Sequence, residues 1–276
     1  MRACLVLVVV MSWLAVPAAE DGSARAPVPL SIDRHGSIQV GVEVNGAGPF
    51  PFLLDTGAAR SIISADLARQ LSAPAVGRSE IVTSAGSEIG MVVRLASVAL
   101  ASSRVGDLLA PVVDQEQLSQ LAPGVRGLLG QDFLSAFNYT LDYRRGRLTW
   151  EPQVSCTEDA AVRLAKAEGR FVMGARDERG DDWRLVPDSG AEIAVLFRAP
   201  SAPSEGEAGV TSLVSGMRRV ARVTLPALRI GRAQMRDVAA VVAERDDTGA
   251  DGLLPLHTFA SVTFAAGGSC IVPRLR

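Results

Sequence analysis

Phe52-Leu53-Leu54-Asp55-Thr56-Gly57-Ala58 sets an apolar run directly against a carboxylate, a hydroxyl and a glycine. A charge at the buried end of a strand is expensive unless it is hydrogen-bonded, shared or used. The stretch occurs a second time, as Leu185-Val186-Pro187-Asp188-Ser189-Gly190-Ala191, with the same order of apolar lead-in, Asp, hydroxyl residue, Gly and Ala. A further apolar run follows each copy, Ser61-Ile62-Ile63 in the first and Ile193-Ala194-Val195-Leu196-Phe197 in the second. Two such carboxylates in one chain predict one shared site.

The surroundings repeat as well. Ser37 to Val44 alternates with period 2, Asn45-Gly46 and Gly48-Pro49 mark a turn, and Phe50 to Leu54 returns as the strand that carries Asp55. In the second half Phe171-Val172-Met173 and Trp183-Arg184-Leu185-Val186 flank a turn at Arg179-Gly180. Ser97 to Leu100 recurs as Leu225 to Leu228, Val112-Val113 as Val241-Val242, and Gly127-Leu128-Leu129 as Gly252-Leu253-Leu254. Their offsets of 128, 129 and 125 residues, against 133 between Asp55 and Asp188, need only small loop indels. An internal duplication follows, with a first lobe over 30–150, a connector over 151–166 and a second lobe over 167–276. Between the repeats, Ser64 caps a short helix, Ser84-Ala85-Gly86-Ser87 is the tip of a hairpin, Asp114 to Leu121 is a short helix, and Gly127 to Gly130 enters another before the strand Tyr139 to Tyr143. Pro200 to Gly209 reads as a loop where the first half has the Ser64 helix.

A third Asp-Thr-Gly-Ala at 247–250 tests whether the motif carries meaning. An Asp-[Ser/Thr]-Gly triplet arises by chance on the order of 0.1 times in a chain of this length. This copy follows Glu244-Arg245-Asp246 with no apolar lead-in, so it reads as an exposed loop.

With 276 residues, 48% apolar and 21% charged, the chain can bury a sizeable core. A net charge of −2 leaves no footprint for nucleic acid or an anionic membrane surface. Arg2, the apolar run Ala3 to Val16 and the small residues of Val16-Pro17-Ala18 read as a secretory signal over 1–18, removed near Ala18, with no stable membrane anchor afterwards. Cys4 leaves with it. Cys156 and Cys270 then remain in an oxidising compartment, where a bond between them would tie the connector to the last strand.

Two carboxylates in contact cannot both ionise cheaply, so such a pair retains one proton over a wide pH range. The ionised member can take a proton from water while the protonated one donates to a carbonyl oxygen, which is acid-base hydrolysis of an amide without a covalent intermediate. Glycosidases also pair carboxylates, but at wider spacing and with sugar-stacking aromatics; aromatic content here is 5%. His35 and His257 stand alone, and with two Cys they form no zinc-like spacing.

At this point the chain resembles an aspartic protease, and Asp-Thr-Gly-Ala with the downstream Gly127-Leu128-Leu129-Gly130-Gln131-Asp132 is most similar to the retropepsin-like branch. The resemblance covers roughly Ser31 to Pro273 as a fused pseudo-dimer, departing at Pro187 and at Pro255, where the family motif has Gly. It implies an all-β, two-lobed acid protease fold and a monomer with its cleft between the lobes. Asp55 and Asp188 would be the catalytic pair, Thr56 and Ser189 the hydroxyls locking the loops, Gly57 and Gly190 the close-approach positions, and Ser84 to Ser87 a flap tip over substrate. The expected activity is peptide-bond hydrolysis on a peptide or protein substrate, with no metal or organic cofactor and no nucleic acid, in the bacterial periplasm or outside the cell. A degenerate, peptide-binding relative without catalysis is the alternative.

Overall fold

Alternation along Ile38–Val44 buries Ile38, Val40, Val42 and Val44 on one face. Asn45 and Gly46, at φ 53° and 77°, then make the two-residue turn whose twist suits a hairpin, and the chain returns as Ala47–Leu54, the strand that leads to Asp55. The computed structural model describes residues 25–83, 86–157, 159–167, 169–201, 205–212, 216–243 and 249–276. The predicted secretory segment, 1–18, lies outside them.

Ala47–Leu54 is held between Ile38–Val44, antiparallel, and Gly127–Leu129, parallel. The sheet continues through Ile62–Ser64, Ser103–Val113 and Gly86–Leu100, and closes on itself where Glu43 and Val44 pair with Ala99 and Val98. In the second half Arg170–Asp177, Asp182–Asp188, Gly252–Pro255, Ala194–Leu196, Ala233–Val242 and Gly216–Ile230 form the same ring, with the same order and the same parallel or antiparallel sense at every step. The duplication inferred from weak sequence repeats is therefore a duplication of a closed barrel.

Glycine is required where the strand after the loop passes closest. A Cβ on Gly127 would lie 2.3 Å from the Ile62 carbonyl oxygen, and one on Gly252 2.2 Å from that of Val195. This is why Gly-Leu-Leu recurs in both halves.

The lobes are joined by a sheet of their own. Tyr139–Asp142 of the first lobe pairs antiparallel with Phe259–Phe264 of the second, from Tyr139↔Phe264 to Asp142↔Ser261. Arg147–Trp150 and Val28–Pro29 extend it on one side, Cys270–Leu275 and Val162–Ala167 on the other. The Tyr139 and Phe264 rings stack at 4.8 Å across the joint, and one apolar cluster runs from Ile38 and Leu54 through Tyr139 to Phe264 and Leu185. The fold is all-β and two-lobed.

Four expectations are corrected. Gly127–Leu129 is a strand, and the short helix begins only at Gln131. Residues 162–166 of the 151–166 connector belong to the strand Val162–Ala167, which pairs first with Cys270 and Ile271 and then with Arg170–Met173. In the 200–209 segment, Glu207 opens a strand to Ser212 that pairs with Gly216–Ile230. Of the third Asp-Thr-Gly-Ala, Asp247 and Thr248 lie outside the described residues, while Ala250 is buried against Val172 and Val186 and not exposed.

Cys156 and Cys270 are bonded, 114 residues apart. In the chain-entropy model a loop of this size is worth about 4 to 5 kcal/mol. Replacing both by Ser should lower the urea midpoint accordingly; an unchanged midpoint would show that the bond constrains nothing in the unfolded chain.

Candidate active site

Asp55 follows the strand Ala47–Leu54, its amide donating to the Leu129 carbonyl at 3.0 Å, and Asp188 ends the strand Asp182–Asp188 beside Pro255. Each carboxylate is received by its own loop: Oδ1 of Asp55 accepts from the amides of Gly57 (2.9 Å) and Ala58 (3.0 Å), Oδ1 of Asp188 from those of Gly190 (2.7 Å) and Ala191 (3.1 Å). The two side chains are within hydrogen-bonding reach of one another across the lobes. A Cβ added to Gly57 would stand 2.5 Å from Cγ of Asp188, and one on Gly190 3.0 Å from Cγ of Asp55. Each glycine thus lies against the opposite lobe's carboxylate, with no room for a side chain at Gly57 and a tight fit for one at Gly190.

Thr56 and Ser189 are both buried, and they exchange bonds. The Thr56 amide donates to Ser189 Oγ and the Ser189 amide to Thr56 Oγ1, both at 3.0 Å. The hydroxyls then donate onward, Thr56 to the Pro187 carbonyl and Ser189 to the Leu54 carbonyl, each at 2.7 Å. What this arrangement takes from Pro187 is its carbonyl, so the missing N–H of proline leaves the exchange intact.

Pro255 is likewise accommodated by a matched change. In the first lobe the Gly130 amide donates to Ser61 Oγ (3.0 Å), and Ser61 donates both its amide and its hydroxyl to Asp132 Oδ1 (2.9 and 2.6 Å). Gln131 Nε2 donates to the Thr56 carbonyl at 2.8 Å. By strand register the counterparts of Ser61, Gly130, Gln131 and Asp132 are Ala194, Pro255, Leu256 and His257. The second lobe has lost the hydroxyl acceptor together with the amide that would need it.

Burial is the main reason both carboxyls are held above their ordinary 3.8, Asp188 well above. For Asp188 the negative charge of Asp55 adds to it, while the Gly190 amide and the guanidinium of Arg170 pull the other way. Arg170 acts on Asp55 in the same sense. It opens the strand Arg170–Asp177, reached over a turn where Gly169 packs on Ala59 of the first lobe. Asp132, too, is raised, by burial opposed by Ser61.

The proposed flap hairpin is present as Ala75–Thr83 and Gly86–Leu100, with Thr83 paired to Gly86. Ser84 and Ala85 lie outside the described residues, and Gly86 and Ser87 begin the returning strand. Sequence reading missed its counterpart, Glu207–Ser212 with Gly216–Ile230, at the same edge of the second barrel. The signal was available: Val82-Thr83-Ser84 recurs as Val210-Thr211-Ser212. It also gave no role to Gln131, Ser61 or Asp132, and none to Arg170, which no motif marks.

Residues 40–136 match the model of the gag-polyprotein aspartyl protease family, and residues 179–257 match that of a second aspartyl protease family. The two matches fall one on each lobe and together span more than half of the chain. The chain is a two-lobed, retropepsin-like aspartic protease family member. Among solved structures, a retropepsin-like aspartic protease from Rickettsia conorii aligns at 17% identity and a TM-score of 0.34, over 45% of this chain and 89% of its own. No curated protein sequence matches.

Two outcomes follow for these aspartic protease lobes. With both carboxyl values raised, the native state binds more protons than the unfolded chain between the ordinary carboxylate range and the raised values, so stability falls as pH rises through that window. Asp188→Asn removes a buried charge; its melting temperature should exceed that of wild type at pH 7.5, and the gap should narrow towards pH 4. A gap independent of pH would contradict the raised values. Thr56→Val leaves the Ser189 amide and the Pro187 carbonyl without their partner and should cost about 2 to 4 kcal/mol in urea unfolding, whereas a neutral substitution would show that the loops hold without it.

Proposed function

We propose that the chain is an aspartic endopeptidase in which Asp55 and Asp188 are the catalytic pair, acting on a peptide or protein substrate in the cleft between the lobes. The observation that carries this reading is the pair itself: two carboxyls from opposite lobes, within reach of one proton, each backed by the other lobe's glycine. A dyad of this kind titrates as a unit and retains one proton where isolated carboxyls have lost theirs. The ionised oxygen takes a proton from a water lying between the side chains; the water attacks the scissile carbonyl carbon, and the other carboxyl donates its proton to the carbonyl oxygen. The first carboxyl then passes its proton to the amide nitrogen while the second takes one back from a hydroxyl of the hydrate, and the C–N bond breaks to release the two products with the pair again holding one proton. The four loop amides hold the carboxylates through these changes without themselves titrating.

One chain supplies both motifs, so a monomer suffices. The bond between Cys156 and Cys270 fits an oxidising compartment, and with the signal-like 1–18 segment it supports the periplasm or the exterior of the cell. Purified chain should cleave an unfolded protein, with activity falling at high pH as the shared proton is lost. Asp55→Asn and Asp188→Asn should each lower kcat/KM by at least about 100-fold while the circular dichroism spectrum is unchanged. Undiminished turnover by either variant would remove that residue from the chemistry, and saturable peptide binding with no turnover in wild type would make the protein a binder.

A further inference from the structure

The sheet that joins the lobes has a second face. Alternation turns Tyr139, Leu141, Val262 and Phe264 into the core and sets Thr140, Asp142, Ser261 and Thr263 on the other side, where Thr140 lies opposite Thr263 and Asp142 opposite Ser261. Arg274, opposite Ser261 on the last strand, extends this face. Glu151 to Ser155, the start of the connector, stands over it as a wall. The wall is fixed at both ends: the Glu151 amide donates to the Asn138 carbonyl at 2.9 Å, and Cys156 is bonded to Cys270. Between wall and sheet is a recess of about 570 Å³ lined by residues of both lobes, with Val154, Ala260 and Val272 supplying its apolar surface.

The polar groups of the recess are unevenly matched. Asp142 is already satisfied by Arg145, accepting at Oδ1 from its amide (2.9 Å) and at Oδ2 from its Nη1 (3.0 Å). Glu151 Oε1 accepts from the Thr140 hydroxyl at 2.6 Å, and that hydroxyl is 2.8 Å from the one on Thr263. Arg144 and Arg274 remain. Both line the recess, and among the described residues neither side chain has a hydrogen-bond or carboxylate partner. Three arginines thus face two carboxylates, both of which are already engaged.

We propose that this recess is a binding site for a small oxyanion of metabolite size, a hydroxy acid or a phosphate ester, with Arg274 and Arg144 taking the anionic group. A guanidinium presents a planar fork of donors that fits a carboxylate or a phosphate. The Ser155 and Ser261 hydroxyls and the second oxygen of Glu151 are left for hydroxyls of the ligand. A single inorganic ion would leave most of the space unused, since the volume falls among those of small-molecule sites. Because Asn138 and the disulfide pin the wall, the site is formed before the ligand arrives, and little is lost to ordering on binding. The ligand touches Arg144 of the first lobe, the connector and Arg274 of the second, so its binding favours the docked lobes over the unfolded chain. The site stands apart from Asp55 and Asp188 and does not depend on catalysis there.

The full chain is tested with citrate and with glucose 6-phosphate, each against sodium chloride of equal ionic strength and against glucose, by melting temperature and isothermal titration calorimetry. At about 20 mM, at least one of the two anions should raise the melting temperature by about 3 °C over its chloride control. Which of them does so separates the carboxylate from the phosphate class, and glucose should change nothing. Arg274→Gln removes an exposed charge and should melt with wild type in chloride, yet it should abolish both the rise and the calorimetric heat. Arg144→Gln should weaken binding at least about fivefold, whereas Arg184→Gln, exposed on the second barrel, should behave as wild type. No rise with either anion would overturn the proposal. So would an equal rise in wild type and Arg274→Gln, the mark of a general salt effect, or a rise lost equally in Arg184→Gln.

Discussion

Each aspartate loop is completed by the other. Thr56 and Ser189 exchange amide-to-hydroxyl bonds and then donate to the carbonyls behind the opposing loop. All of these groups are buried, and a polar group buried without a partner is costly. Neither lobe can satisfy its loop alone, so docking of the lobes and assembly of the carboxyl pair are a single event. The bridging sheet and its stacked Tyr139 and Phe264 rings bring the two barrels into register. The hydroxyl exchange then sets the last few ångströms, at which the distance between two carboxyls decides whether they share a proton.

The duplication has not been kept uniform. The first loop is braced from within its lobe by Gln131, Ser61 and Asp132. The second has Ala194, Pro255, Leu256 and His257 at the equivalent positions. Where a donor was lost, at Pro255, its acceptor was lost too, at Ala194, which is how a buried network changes without leaving an orphan.

What was legible in the sequence was what has a short-range signature. The alternation of Ile38–Val44, the Asn45-Gly46 turn and the placing of Asp55 and Asp188 after apolar strands follow from local pattern, and the Gly-Leu-Leu repeats mark the close passage under each loop. The second hairpin escaped because the Pro/Ser/Glu/Gly segment before it reads as loop, although Val210-Thr211-Ser212 copies the first hairpin. The start of the second lobe was placed late because Val162–Ala167 is a strand only by virtue of partners at both ends of the lobe. Gln131 and Arg170 act through distance in space, and nothing along the chain announces it.

The central claim is that the Asp55 and Asp188 carboxyls hold one hydrogen ion in common. Its most direct test is a carbon-13 NMR titration of protein labelled at the aspartate carboxyl carbons, with Asp55→Asn and Asp188→Asn used to assign the two signals. Two linked steps are predicted, one carboxyl staying protonated well above the ordinary 3.8 of an aspartate. Two independent titrations, both near that ordinary value, would contradict the account.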